Sequence, residues 1–212
     1  MEISKEKHLL DPCGLLSIPY WKAKKLSLPD NIMIVNDKDY SNSYQEIYDD
    51  VKYFRLIHNL ININQVNLSS DYIIGTIDIN TQLEAVVDII NNCYMHIRVD
   101  LDRVKEWTKS RAFDNELWVY IKEISTNKIV ALGTAEFDRE IKEGALEWIQ
   151  VLPKFHGLGL GQAIVNDLLI RMKYKACFVT VSGEVNNKTN PEALYRKCGF
   201  TGDNIWHIMT KR

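Results

Sequence analysis

The sequence lacks the long apolar runs and the one-sided charge that mark several large classes of protein. Its longest apolar stretches, 129–132 and 176–181, have the length of strands and fall far short of the roughly 20 residues that span a bilayer. The N-terminal residues 1–8 are charged and contain no apolar run of the kind found in secretion signals. The net charge of −2 gives no general attraction to nucleic acid or to an anionic membrane. We therefore expect a cytoplasmic protein, monomeric or homodimeric, without a nucleic-acid or membrane partner.

Cysteine is scarce and scattered. The four cysteines, at positions 13, 93, 177 and 198, form no Cys-x-x-Cys pair. A structural zinc site needs closer ligand spacing than this, so we expect no metal. In a reducing compartment such cysteines behave as small apolar core residues.

A polar stretch rich in Asn and Ser, 62–70, divides the chain into two predicted regions. Before it, Ile32–Val35 and Val51–Leu60 have the composition of strands. We interpret residues 1–70 as a small N-terminal extension that contains a β-hairpin and packs on the main body. Residues 71–212 form the predicted main domain.

From residue 71 onward, the hydrophobic pattern alternates between strand and helix periods. Thr81 and Glu84 have the spacing of a capping box before an amphipathic helix, and Asp100 can cap a second helix. Asn190 followed by Pro191 opens a short helix near the C-terminus. The predicted order is β-α-α-β-β-β-α-β-α-β, an α/β (α+β) fold with a mixed sheet flanked by helices. The predicted strands are 72–79, 117–124, 128–137, 145–152, 176–181 and 206–210, and the longer helices are 82–94 and 161–174.

Three glycines, Gly157, Gly159 and Gly161, mark the turn between a strand and a predicted helix. Glycine lets a backbone approach a ligand closely, and the free N–H groups of a helix's first turn bind phosphate. A Walker loop is excluded because Gln162 follows the last glycine, and a dinucleotide-binding loop would need glycine at that same position. A glycine-rich turn that serves packing alone remains the other interpretation.

These residues resemble the signature of the GNAT superfamily of N-acetyltransferases. That signature is Gln/Arg-x-x-Gly-x-Gly/Ala after a strand ending in Val-x-Pro, and here His156-Gly-Leu-Gly-Leu-Gly161 follows Val151-Leu-Pro153. A second family motif, Leu-Tyr-x-x-x-Gly-Phe, is matched by residues 194–200. The resemblance covers residues 71–212. Two departures are His156 in place of Gln or Arg and Lys188 where the family often has Asn.

The resemblance implies a GNAT-like fold and acetyl-CoA as cosubstrate, with no metal. Backbone amides of the glycine loop would hold the pyrophosphate, and the backbone at the end of the preceding strand would pair with the pantetheine arm. Asn187 and Asn190 stand near the position of the family's asparagine. The implied cofactor-binding residues are Ile149, Val151, His156, Gly157, Leu158, Gly159, Leu160, Gly161, Asn187 and Asn190.

The resemblance also implies two catalytic residues. Tyr195 matches the family tyrosine that protonates the departing thiolate, and its other interpretation is an aromatic that only packs the helix. Glu147 lies in an apolar strand, where alternation places it on one face with Ala145, Ile149 and Val151. Burial there would raise the pKa of its carboxyl and suit it to act as a general base. A rim carboxylate or an ion-pair partner is the alternative for Glu147.

The implied activity is transfer of an acetyl group to an amine of a small molecule or a peptide, by direct attack in a ternary complex. The alternative is an acyl-CoA sensor or regulatory module that binds the cosubstrate without turnover. A third alternative is a structural or interaction protein built on the N-terminal extension, which would not bind acetyl-CoA.

Overall fold

A computed structural model describes residues 3–94 and 97–212, which form a sheet of strands with helices between them in the chain. The strands are β1 (Ile32–Asn36), β2 (Tyr48–His58), β3 (Tyr72–Thr76), β4 (Trp118–Glu123), β5 (Lys128–Asp138), β6 (Glu143–Val151), β7 (Phe178–Glu184) and β8 (Thr201–Lys211). The helices are α1 (Lys5–Leu10), α2 (Tyr20–Ala23), α3 (Leu83–Cys93), α4 (Leu101–Trp107), α5 (Leu160–Met172) and α6 (Pro191–Lys197). Short 3-10 turns cover Asp37–Asp39, Asn42–Glu46, Asn115–Leu117 and Pro153–Phe155. The predicted α/β class with a mixed sheet is confirmed.

The chain forms two compact units. One contains the N-terminal segment up to Asn59 together with Thr180–Arg212, and the other contains Leu60–Val179. Strand β7 begins in the second unit and continues into the first at Thr180. None of the helices in residues 3–94 and 97–212 is long and apolar enough to cross a bilayer.

In the first unit, the N-terminal strands pair with the last strand of the chain. Strand β8 lies between β1 and β2 and runs antiparallel to both, so that Ile34 and Val51 are both partners of Ile208. The predicted hairpin between the two N-terminal strands is therefore wrong, because β8 occupies the position between them. Local turn chemistry could not reveal this, since the intervening strand comes from more than 140 residues further along the chain.

In the second unit, strands β3, β4, β5 and β6 form consecutive antiparallel pairs. Alternation along β5 sends Leu132 to a core formed with α3 and α4, while the Cα of Gly133 faces Ile164 of α5. Helices α3 and α4 thus cover one face of these strands and α5 covers the other. A side chain at Gly133 would collide with Ile164, which explains the glycine.

A β-bulge interrupts the pairing of β5 with β6. Thr134 pairs with Trp148 but Ala135 pairs with Leu146, which leaves Glu147 as the extra residue. Such a bulge reverses which face successive side chains occupy. Register therefore places Trp148 on the face covered by α3 and α4, and Leu146 on the face covered by α5.

Helix starts follow the sequence signals in part. Asp100 caps α4 as predicted, and its Oδ1 accepts from the backbone N–H of Arg103 at 2.8 Å. The capping box predicted for α3 is wrong, because the Thr81 hydroxyl donates to Asp78 Oδ2 at 2.7 Å. Gln82 is the N-cap residue of α3, and its Oε1 accepts from Asp78 N at 2.8 Å. Asp78 draws both side chains into the preceding turn.

Candidate functional site

The residues predicted to bind a ligand fall in both units. Residues 147–161 belong to the unit Leu60–Val179, whereas Asn187, Asn190 and Tyr195 belong to the other. Among the described residues, no group of three or more His, Cys, Asp or Glu is placed to hold a metal ion.

The glycine loop leads from β6 into α5 through an exposed, left-handed path. Gly157 and Gly159 have φ angles of 80° and 76°, values that glycine adopts without strain. No atom lies within 4 Å of where a Cβ would stand at either position, so the glycines are required by backbone conformation and not by crowding. Leu158 between them is 55% exposed. The loop therefore presents an open backbone surface.

Helix α5 begins directly after this loop, with Gly159 as its N-cap residue. No side chain caps its first turn, although Leu160 is buried and anchors that turn in the core. The first N–H groups of an α-helix have no partner within the helix, and the helix dipole adds positive potential there. The loop and the first turn, 157–161, together form an arrangement that suits a phosphate group.

The carbonyl oxygen of Val151, at the end of β6, is already engaged by two side chains. His156 Nε2 lies 2.8 Å from it, and Cys93 Sγ donates to it at 3.4 Å. The His156 side chain is thus turned toward the main chain of its own strand. Half-buried Ile149 pairs with Gly133 and faces α5.

Glu147 differs from the expectation in its surroundings. It is exposed, so the burial that was expected to raise the pKa of its carboxyl is absent. The bulge also separates its neighbours, because register places Ala145 on the α3 side and Ile149 and Val151 on the α5 side. A base role for Glu147 would therefore depend on access to solvent and not on desolvation.

The α3 side of β6 carries a group of half-buried aromatic rings. Trp148 stacks on Trp107 of α4 at 5.4 Å between ring centroids and meets the edge of Tyr94 at 5.9 Å. Buried Gln150 donates from Nε2 to the Tyr94 hydroxyl at 2.9 Å. Gln150 thus fixes the orientation of Tyr94, a role that the sequence alone did not reveal.

In the first unit, the turn before α6 is built by asparagines. Asn190 has a φ of 48° and caps α6 as predicted, with Oδ1 accepting from Ala193 N at 3.3 Å. Asn187 Oδ1 accepts from both the N–H and the hydroxyl of Thr189, at 3.0 and 2.7 Å. The side-chain oxygens of both asparagines are therefore engaged within the turn, so only their amide NH₂ groups could serve a ligand.

Tyr195 is buried on α6, with 7% of its surface exposed. Its ring contacts Phe54 of β2 and Phe200, with centroids 6.1 and 5.7 Å away. Gly199 ends the helix with a φ of 94°, as the Leu-Tyr-x-x-x-Gly-Phe motif requires. Packing by two phenylalanines holds the Tyr195 ring in one position.

Cys93 and Cys198 do not have the environment of a nucleophile. Burial raises the pKa of the Cys198 thiol to about 12 and that of Cys93 to about 11. Both are thiols at neutral pH, whereas a nucleophilic cysteine needs a lowered pKa and partial exposure.

Two buried polar residues of the first unit gave no recognisable signal in the sequence. Arg55 on β2 is 2% exposed and donates to the hydroxyls of Ser182 and Thr180 on β7, at 3.1 and 3.2 Å. His207 on β8 is fully buried between Asp50 and Asp37, at 2.8 and 2.9 Å. These partners lie more than 100 residues apart in the sequence, so no local pattern links them.

Comparison with known proteins connects this geometry to one family. The family model described as an acetyltransferase (GNAT) domain matches residues 114–202. Glucosamine 6-phosphate N-acetyltransferase from Arabidopsis thaliana is 30% identical over 112 residues, which are 50% of this chain and 72% of that protein.

Solved structures agree on the fold. A GCN5-related N-acetyltransferase from Sphaerobacter thermophilus superimposes with a TM-score of 0.71 at 16% identity and covers 91% of this chain. This chain spans 64% of the length of that structure. A conserved protein of unknown function from Staphylococcus epidermidis gives a TM-score of 0.63 at 11% identity, over 86% of this chain and 73% of its own.

Proposed function

Because this chain belongs to the GNAT acetyltransferase superfamily, we propose that it transfers an acetyl group from acetyl-CoA to an amine. The observation that carries the proposal is the start of α5, where two left-handed glycines precede a helix that has no side-chain cap. Acetyl-CoA is the cosubstrate whose pyrophosphate suits such a start.

The cosubstrate binds along the backbone of the second unit. The pyrophosphate rests on the N–H groups of 157–161, and the pantetheine arm pairs, much as an added strand would, with the main chain at Ile149 and with the N–H of Val151, whose carbonyl oxygen is engaged by His156 and Cys93. Lys154, exposed in the turn before the loop, adds positive charge. Backbone donors held in a fixed arrangement need little reorganisation when the thioester binds.

The reaction is a direct transfer. The lone pair of the amine nitrogen attacks the thioester carbonyl carbon, the C–N bond forms, and the C–S bond breaks. Tyr195 gives its phenolic proton to the departing thiolate and recovers a proton through solvent. The attacking nitrogen loses one proton to Glu147 or to water, and exposed Glu147 can pass that proton to solvent.

No acetyl-cysteine intermediate is part of this mechanism. The raised pKa values of Cys93 and Cys198 keep both thiols protonated and unreactive at neutral pH. Positioning of the two substrates and polarisation of the carbonyl therefore supply most of the rate gain.

The second candidate is an acyl-CoA sensor that binds acetyl-CoA without turnover. It is favoured by Tyr195, whose ring is buried among Phe54 and Phe200 as a packing residue would be. It is also consistent with exposed Glu147, which lacks the burial of a typical tuned base.

One experiment separates the two candidates. Release of CoA from acetyl-CoA is followed with a panel of amines, and acetyl-CoA binding is measured in parallel by calorimetry. The first acceptor to test is glucosamine 6-phosphate, the substrate in the name of the Arabidopsis relative. A transferase binds acetyl-CoA and releases CoA faster with at least one amine. Binding with no amine-dependent release across a panel of sugar amines, alkylamines and peptides would favour the sensor.

A further inference from the structure

The short segment between β6 and the glycine loop is closed on itself by three contacts. His156 Nε2 contacts the Val151 carbonyl oxygen at 2.8 Å, Phe155 N donates to Leu152 O at 2.8 Å, and His156 N donates to Pro153 O at 3.3 Å. The segment held by these three contacts, 151–156, ends directly before Gly157, which has a left-handed backbone conformation. The direction in which the loop leaves the strand is therefore set by residues 151–156.

The proton arrangement of the His156 contact follows from its partner. A backbone carbonyl can only accept, so Nε2 must carry the hydrogen and donate it. Nε2 carries a hydrogen in the protonated ring and in one neutral tautomer, so the contact does not depend on the charge of the ring.

A second donor reaches the same oxygen from α3. Cys93 is the last residue of that helix, and its Sγ donates to Val151 O at 3.4 Å. Burial raises the pKa of Cys93 to about 11, which keeps the sulfur in the thiol form that can donate. A carbonyl oxygen has two lone pairs, and both are engaged here. We call this group, Val151 O with His156 and Cys93, the carbonyl clamp.

We propose that His156 is a positioning residue that acts through Val151 and does not bind the pyrophosphate. The clamp joins the end of β6, the C-terminal end of α3 and the loop before α5 at one oxygen. It thereby holds in position the end of β6, the strand backbone that takes the pantetheine arm of any acetyl donor. This inference rests on the proposed acetyl-CoA site, and it replaces the direct contact that the family's Gln or Arg suggests for this position.

The first arm of the test needs no cosubstrate. Amide hydrogen exchange is measured at Leu152 and Phe155, which donate to backbone carbonyls at 2.9 and 2.8 Å. His156→Ala is expected to speed exchange at both by about tenfold, the effect of losing one ordinary hydrogen bond. Lys154→Ala, at an exposed position in the same turn, is the control, and the exchange rates of Leu152 and Phe155 should not change in that variant. Unchanged rates in a folded His156→Ala protein would overturn the clamp, whatever the enzyme does.

The second arm compares two acetyl donors, acetyl-CoA and S-acetylpantetheine, which lacks the pyrophosphate. Thiol release by the intact protein gives kcat/KM for each. If His156 acts through Val151, His156→Ala lowers kcat/KM for both donors by about tenfold, in equal proportion. A loss confined to acetyl-CoA would show a direct pyrophosphate contact and overturn the proposal. If the wild-type protein cleaves neither donor and binds no acetyl-CoA, the proposed function fails, while the exchange rates still decide whether the clamp exists.

Discussion

The glycine loop and the helix that carries Tyr195 hold the two family motifs, and they work by opposite physical means. The loop is exposed and offers backbone groups, whereas Tyr195 is buried and offers one hydroxyl. In the loop, side chains matter little beyond the absence of a Cβ at Gly157 and Gly159. Around Tyr195, the motif residues Cys198 and Phe200 are buried packing residues.

This difference explains why the two motifs carry different amounts of functional information. A left-handed φ favours glycine so strongly that the sequence of the loop reports its backbone shape directly. The sequence around Tyr195 reports a packed helix, and the same residues would serve a protein that binds acetyl-CoA without turnover. Substitutions that act on one region and spare the other therefore test the account.

The largest effect should come from removing the strands that support the Tyr195 unit. Deleting residues 1–68 removes β1 and β2, the two antiparallel partners of β8. Exposed edges and apolar surface on β8 should make the remaining chain insoluble or strongly destabilised. Soluble yield and the thermal midpoint measure this. A soluble fragment with full thermal stability would show that residues 1–68 are a detachable arm.

The next largest effect is expected at the Tyr195 hydroxyl. Tyr195→Phe keeps the ring between Phe54 and Phe200, so packing and acetyl-CoA affinity should stay near wild type. Loss of a general acid lowers kcat by ~10²-fold, the low end of the usual range, because a thiolate with a conjugate-acid pKa of ~8.5 is a good leaving group.

Tyr20 provides a matched control for that substitution. It is buried, with 4% of its surface exposed, on α2 of the same unit. Tyr20→Phe removes a buried hydroxyl without touching the proposed chemistry, so kcat should not fall. Wild-type turnover by Tyr195→Phe from pH 6 to 9, with chemistry rate-limiting, would return Tyr195 to a purely structural role.

A smaller effect concerns the stability of the same unit toward acid. Burial of His58 holds the pKa of its imidazole below the ordinary value of 6.5, against a raising contribution from the backbone of Cys198. Once the pH falls below 6.5, the unfolded chain therefore binds more protons at His58 than the folded chain does. As a result, the free energy of unfolding decreases as the pH is lowered from 6.5 to the folded-state pKa of His58. His58→Gln should flatten this part of the profile in urea titrations. An equally steep decline in the variant would assign the pH dependence to another group.

The sequence predicted what local chemistry dictates. Asp100 and Asn190 form the expected caps, and Gly199 ends α6. The predictions were wrong where the structure depends on a pairing partner far away in the sequence. The strand β8 separates β1 from β2, and the bulge at Glu147 exists only because β5 has one residue fewer at that point of the pairing. Strict alternation in the sequence could not show that Ala145 and Ile149 face opposite sides.

The candidate site shows the same division. Gly157 and Gly159 are left-handed in the turn where the sequence predicted it, whereas Gly161 lies within α5. The clamp on Val151 was not predicted, because it needs Cys93 from α3. Asp78 likewise prevents the predicted capping box, because it hydrogen-bonds to the side chains of Thr81 and Gln82. The sequence offers both arrangements and does not show which of them is the more stable.

The most direct test of the central claim, that backbone groups of the loop hold acetyl-CoA, is calorimetry on Gly159→Asp. The Asp side chain would enter open space beside the first turn of α5 and place a negative charge where the pyrophosphate should sit. Two like charges about 5 Å apart repel by roughly 3 kcal/mol near a protein surface, so acetyl-CoA affinity should fall by well over tenfold. Two controls are needed: Tyr174→Asp, at a site 91% exposed beyond the other end of α5, adds the charge elsewhere, and Gly159→Asn imposes the same left-handed φ of 76° on a side chain of the same shape without the charge. Both should retain much more affinity than Gly159→Asp. Unchanged acetyl-CoA affinity in a folded Gly159→Asp protein would contradict the account.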